Sequence, residues 1–137
     1  MLIPSSYCSR RVSFTEYHYR TNHELLNMVM TAQDPVFPGC LIQARILGAL
    51  DTLTSAGTEP NIFAVPHDDP RFDDTRSLED VPDQILHDVE NFFVTFMRLE
   101  GDEEAEVQGW HGVEETHEII REGSRAWQED RAYQPKD

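Results

Sequence analysis

Positive charge is what this sequence has least of. Its 137 residues hold 11 Lys plus Arg against 26 Asp plus Glu, a formal net charge of −15. A phosphate backbone rewards clustered Lys and Arg, so this balance argues against a nucleic-acid-binding surface and disfavours an anionic membrane. Cysteine is scarce too: Cys8 and Cys40 alone cannot build a disulfide framework. No apolar run approaches the ~20 residues that span a bilayer. The N-terminal MLIPSSYCSRR lacks the basic-then-apolar layout of a secretion signal. These absences lead to the expectation of a cytoplasmic protein with reduced thiols. A glycine-rich phosphate loop and a Gly-x-Ser-x-Gly elbow are also missing.

What is present suffices for one domain, with 39% hydrophobic residues. Charge is uneven: residues 1–20 carry Arg10, Arg11 and Arg20 against Glu16 alone. We read 1–20 as a basic arm with a first strand, 21–127 as the folded domain and 128–137 as a tail. β-Branched and aromatic runs give strands at 12–19, 25–31, 40–50, 61–65 and 104–110, with a proline-glycine turn at 33–39. Asp68, Asp69, Asp73 and Asp74 lie in an acidic loop over 67–76, read as a solvated charge run. Leu86, Val89, Phe93 and Phe96, broadened by Ile85 and Phe92, recur at helical spacing and place a helix over 83–99, with Pro82 in its first turn. Val113, Thr116, Ile120, Gly123 and Trp127 give a second helix over 113–127, with Glu114 and Glu115 suited to its N-terminal dipole. Strands first and helices last indicate an α+β fold: a small antiparallel barrel with two flanking helices. His111 and His117 stand six residues apart, a spacing that does not put both on one helix face, so they are not read as a metal pair.

Four segments, PVFPGCLIQARILGAL, FAVPHDDPRFDD, SLEDVPDQILHDVENFF and RLEGDEEAEVQGW, resemble in one register the soluble inorganic pyrophosphatases of the single-domain barrel family. The resemblance implies an OB-like β-barrel flanked by helices, a homo-oligomer, and Mg²⁺-dependent attack of activated water on pyrophosphate. It also exposes departures. The family's Asp-Gly-Asp-Pro-x-Asp motif holds its metals; the aligned stretch runs from Thr21 to Leu26, with Thr21, His23 and Leu26 at the Asp positions. The family's next Asp, Asp and Lys correspond to Thr54, Glu59 and Asn61, of which only Glu59 keeps a carboxylate. Its Tyr-Lys pair at the end of the first helix corresponds to Phe96 and Met97. A family strand pair bearing further Glu, Lys and Arg site residues has no counterpart before Thr21.

Mg²⁺ requires hard oxygen ligands in near-octahedral geometry, which Thr21 and His23 supply poorly and Leu26 not at all. From the residues we therefore expect no metal and no cofactor, and a cleft turned towards a largely apolar small molecule. His23 and Glu59 are the candidate acid and base. Tyr17, Tyr19, Thr21, Leu26, Asn61, Phe96 and Met97 are the candidate binding residues. The first functional expectation is a pyrophosphatase-like protein repurposed as a metal-free cyclase or isomerase. Two alternatives stand beside it: a Mg²⁺-dependent pyrophosphatase whose missing groups come from another subunit, and a non-catalytic partner of an intact pyrophosphatase. All three predict a homo-oligomer or paired subunit and no nucleic-acid or membrane partner.

Overall fold

The computed structural model describes the backbone of residues 5–8, 13–21, 24–30, 43–55 and 57–132, and the side chains of 43–55 and 57–125. Two long strands organise it, β4 (Ala44–Thr54) and β5 (Gly57–Pro66), joined as an antiparallel hairpin. Leu47, Ala49 and Leu50 on β4 and Ile62, Phe63, Ala64 and Val65 on β5 are all buried. Side chains alternate across a strand, so consecutive buried residues mean that both faces of the hairpin are covered.

The helices do the covering. On one face Leu47, Leu50, Phe63 and Val65 meet Val89, Phe93 and Met97 of α1 (Asp83–Leu99), together with Val81 and Ala105. On the other, Ile62 and Ala64 pack with Ala44, Ile46 and Ile120 of α2 (Val113–Ala132). β6 (Glu106–His111) pairs antiparallel with β4 and contributes Trp110, which packs edge-on to Phe63 at 6.0 Å between ring centroids. β1 (Ser5–Cys8), β2 (Ser13–Thr21) and β3 (Glu24–Met30) complete a six-stranded sheet in the order β1-β2-β3-β5-β4-β6. The sheet is antiparallel except where β3 runs parallel to β5, with Asn27 opposite Asn61. The architecture is the expected α+β one, a small, mostly antiparallel sheet flanked by two helices.

Boundaries differ from the sequence reading in instructive ways. α1 spans the expected residues, although Pro82 caps the helix from outside its first turn. The strand expected at 40–50 runs over Ala44–Thr54: β4 continues beyond Leu50 through Asp51–Thr54 to meet an equally extended β5, and 40–42 lie outside the described residues. Pro60 lies inside β5, opposite Asp51, and does not end the strand. β1 was not expected at all. The loop expected at 67–76 contains a short 3₁₀ turn at Pro70–Phe72. Arg45 holds that turn by donating from Nη1 to Phe72 O at 2.7 Å and Thr75 O at 3.1 Å. The turn expected at 33–39 lies outside the described residues.

Gly48 sits beside a bulge in β4, where the register shifts between Ile46 and Gly48. A Cβ there would stand 2.6 Å from His111 O and 2.8 Å from Leu78 Cδ1. The first neighbour is backbone of the adjoining strand, which cannot rotate away. Gly48→Ala is therefore expected to lower stability by about 1–3 kcal/mol, the usual cost of overpacking. Urea unfolding of the variant against the parent protein measures it, and an unchanged midpoint contradicts the close approach.

Candidate functional site

The hairpin and the end of α1 carry the family-aligned positions whose side chains are described. Asn61 is fully buried. Its Nδ2 donates to Leu50 O at 3.0 Å, Thr52 Oγ1 at 2.9 Å and Glu59 O at 3.2 Å. Two of these partners are carbonyls, which only accept, so the amide must turn its nitrogen towards them. Thr52, also fully buried, donates from Oγ1 to Glu59 O at 3.4 Å. The Asn61 nitrogen thus forms part of an internal polar cluster between β4 and β5. Glu59 is half-buried on β5 opposite Thr52.

At the end of α1, Met97 is buried in the core cluster, and Phe96 packs against that cluster, stacked on Phe92 at 6.0 Å with 17° between ring planes. Both side chains are therefore engaged in packing the helix onto the sheet. Tyr17, Tyr19 and Thr21 lie on β2 and Leu26 on β3, with Tyr17 opposite Leu26. His23 lies outside the described residues. A cavity of about 30 Å³ opens among Phe63, Val65, Phe72, Thr75 and Val81. It includes none of the expected binding residues and is far smaller than the several hundred Å³ of ordinary ligand pockets.

The loop between α1 and β6 reaches the hairpin turn. Gly101 has φ +104°, and the Gly101 and Asp102 amides donate back to Arg98 O and Met97 O. This pattern ends a helix with a glycine in the left-handed region. It delivers Asp102 to Ser55, whose amide donates to Oδ2 at 2.8 Å and whose hydroxyl donates to the same oxygen at 3.0 Å. Those hydrogen bonds, the Ser55 amide foremost, hold the Asp102 carboxyl below its ordinary value of 3.8. Sequence reading missed this latch, because Ser55 and Asp102 are far apart in the chain.

Among the described residues, no group of three or more His, Cys, Asp or Glu could hold a metal ion. Asp69, one of the loop acids, is engaged by the Arg71 guanidinium at 2.6 Å.

The family profile described as inorganic pyrophosphatase matches residues 2–128. This chain belongs to the inorganic pyrophosphatase family. It is 34% identical over 112 residues to the inorganic pyrophosphatase of Geobacillus stearothermophilus, covering 78% of this chain and 67% of that one. It is 29% identical over 126 residues to that of Haloferax volcanii, covering 92% and 68%. The chain thus spans about two-thirds of the length of these relatives. The crystal structure of the inorganic pyrophosphatase from Thermus thermophilus superposes with a TM-score of 0.74 at 21% identity, over 85% of this chain and 69% of that one. The Helicobacter pylori inorganic pyrophosphatase gives 0.75 at 19%, over 85% and 71%. The structures show the shared fold.

These relatives overturn the first functional expectation, a metal-free cyclase or isomerase acting on an apolar molecule. That expectation weighed substitutions at single positions and gave too little weight to the continuous match around them, in which relatives up to 36% identical bear the pyrophosphatase name. At Asn61 and Met97 the structure supplies a different reason for an uncharged residue: each fills the interior of the pyrophosphatase fold.

The Asn61 cluster makes a sharp prediction. Asn61→Leu keeps the volume but removes three donations, and should cost about 1–3 kcal/mol. Asn61→Asp turns a carboxylate towards carbonyl oxygens and should cost more, about 3–5 kcal/mol, as an uncompensated buried charge. Chemical unfolding at pH 7 ranks the pair, and an Asp variant as stable as the Leu variant contradicts the amide's donor role.

Proposed function

We propose that this chain serves in the hydrolysis of inorganic pyrophosphate to phosphate, as a cytoplasmic homo-oligomer. The observation that supports the reading is the family match over residues 2–128, on a fold shared with solved pyrophosphatases. Hydrolysis in this family requires hard-oxygen metal ligands and cations facing phosphate. Thr21, His23 and Leu26 at the family's Asp positions do not fit a divalent ion, and Glu59 alone among the described family positions offers a carboxylate. We therefore route no step through a metal on this chain. Under this reading the groups that activate water and hold phosphate come from a neighbouring copy at positions other than these aligned ones, and Glu59 is this chain's contribution to the shared site.

One observation favours a second reading, that of a non-catalytic partner of an intact pyrophosphatase. At the family's lysine position Asn61 donates inside the protein, to Leu50, Thr52 and Glu59. A side chain used in that way contributes no charge to a phosphate.

Phosphate release from pyrophosphate in millimolar Mg²⁺ separates the readings. The first expects turnover of at least ~1 s⁻¹, ordinary for an enzyme, and a fall of about 10²-fold or more in Glu59→Gln. Background release from the chain alone, with a changed rate when it is mixed with an intact pyrophosphatase, supports the second. Background release with no effect on the intact enzyme overturns both.

A further inference from the structure

Away from the hairpin cluster, one histidine joins three elements. His111 ends β6. Its Nε2 lies 2.6 Å from Asp51 Oδ2 on β4, and its Nδ1 lies 2.5 Å from Glu115 Oε2 in the first turn of α2. A neutral imidazole carries one N–H. In that state one ring nitrogen would turn its lone pair onto a carboxylate oxygen at hydrogen-bonding distance, which is repulsive. Both contacts are attractive together only when both nitrogens are protonated and each donates. The two acceptors also lie at opposite ends of the ring, so one metal ion could not bridge the three side chains.

We infer that His111 is held as an imidazolium and forms a proton-dependent clasp, fixing the start of α2 to β4 through Asp51 and Glu115. Among the described residues, the charged groups that face the ring are Asp51 from β4 and Glu115 from α2. Their hydrogen bonds, that of Asp51 first, raise the histidine above its ordinary value of 6.5 against a smaller opposing effect of burial. The two arms are unequal: the Asp51 side chain is 23% exposed and that of Glu115 is 68% exposed. When the ring loses a proton, the remaining N–H stays with the less solvated Asp51, and Glu115 is released to water.

The release has a structural address. Gly112 directly follows His111, and its carbonyl accepts from both the amide of Thr116, at 3.1 Å, and the Thr116 hydroxyl, at 2.7 Å. Thr116 is fully buried. Opening the Glu115 arm therefore loosens the first turn of α2 while the Asp51 arm keeps β6 on the sheet. The direction follows from linkage. A group whose folded value is raised stabilises fully below its unfolded value, and that contribution is lost as pH rises through the folded value. The clasp is closed on the acid side of neutrality and opens towards alkaline pH. It stands independently of the proposed hydrolysis, since it uses none of the positions assigned there.

Nitrogen-detected NMR of the full chain with labelled histidine tests it. At pH 6.5 His111 should show two protonated ring nitrogens, and its titration midpoint should lie above 6.5. Asp51→Asn and Glu115→Gln should each lower that midpoint, Asp51→Asn the more. Amide exchange at Thr116, corrected for intrinsic pH dependence, should lose roughly tenfold protection as pH passes the midpoint, the scale of one charge-assisted hydrogen bond. The step should vanish in His111→Gln. Should that variant not fold, Glu115→Gln changes only the exposed arm and must still shrink the step. A single neutral tautomer at pH 6.5, a midpoint at or below 6.5, or a step that survives both variants overturns the clasp.

Discussion

The β4–β5 hairpin is buried on both faces, and the other elements are placed by that fact. A strand pair with one wet face can alternate polar and apolar residues; this one cannot. Its middle, Leu47 to Leu50 and Asn61 to Val65, has no exposed position. α1 and α2 must therefore take opposite sides, and both follow the hairpin in sequence. The same constraint explains why the polar residues buried in the hairpin appear as a set. Thr52 and Asn61 satisfy each other and the carbonyls beside them, so the sheet accepts them without stranding a donor in a dry environment. A lone amide in that position would destabilise the strands it now ties together.

That internal use of polarity bears on the functional question. A site lysine and a packing asparagine make opposite demands: one needs a wet, anion-facing cleft, the other a dry neighbourhood of carbonyls. At position 61 the surroundings meet the second demand. Met97 is likewise buried, its thioether packed into the core at the end of α1. Family membership fixes the framework, and Asn61 and Met97 both belong to its interior.

How much of this was legible in the sequence depended on where the cause lay. α1 could be read to its ends because Leu86, Val89, Phe93 and Phe96 carry its packing in their own spacing. The ends of β4 and β5 could not, because Asp51–Thr54 and Gly57–Pro60 are held by ladder hydrogen bonds to each other, and Leu53 alone makes no alternating apolar pattern. β1 has four residues, too few to show alternation. Glu59 and Asn61 stood out as candidate site positions only through the family resemblance; the turn of the Asn61 nitrogen towards Thr52 and Leu50 is set by the folded hairpin. The Ser55–Asp102 latch and the Asp51 arm of the His111 clasp join residues distant in the chain, and no local pattern announces either.

The acid surplus that opens the reading of this chain is, at close range, put to structural use. Asp69 takes the guanidinium and amide of Arg71, Asp80 the amides of Arg76 and Ser77, and Asp102 the amide and hydroxyl of Ser55. All three carboxyls are lowered from the ordinary 3.8, led respectively by the Arg71 side chain, the Arg76 amide and the Ser55 amide. A lowered group stabilises above its unfolded value, and that contribution is lost as pH falls through the folded one. His111 has the opposite sign, because its folded value is raised. The loops at 69–80 and 102 therefore loosen from the acid side and the start of α2 from the alkaline side. Between those limits the local contacts are closed together, although a net charge of −15 repels itself throughout. At these three positions an acid that would add to the repulsive field is tied down by a cation, a hydroxyl or backbone amides, each through at least two hydrogen bonds.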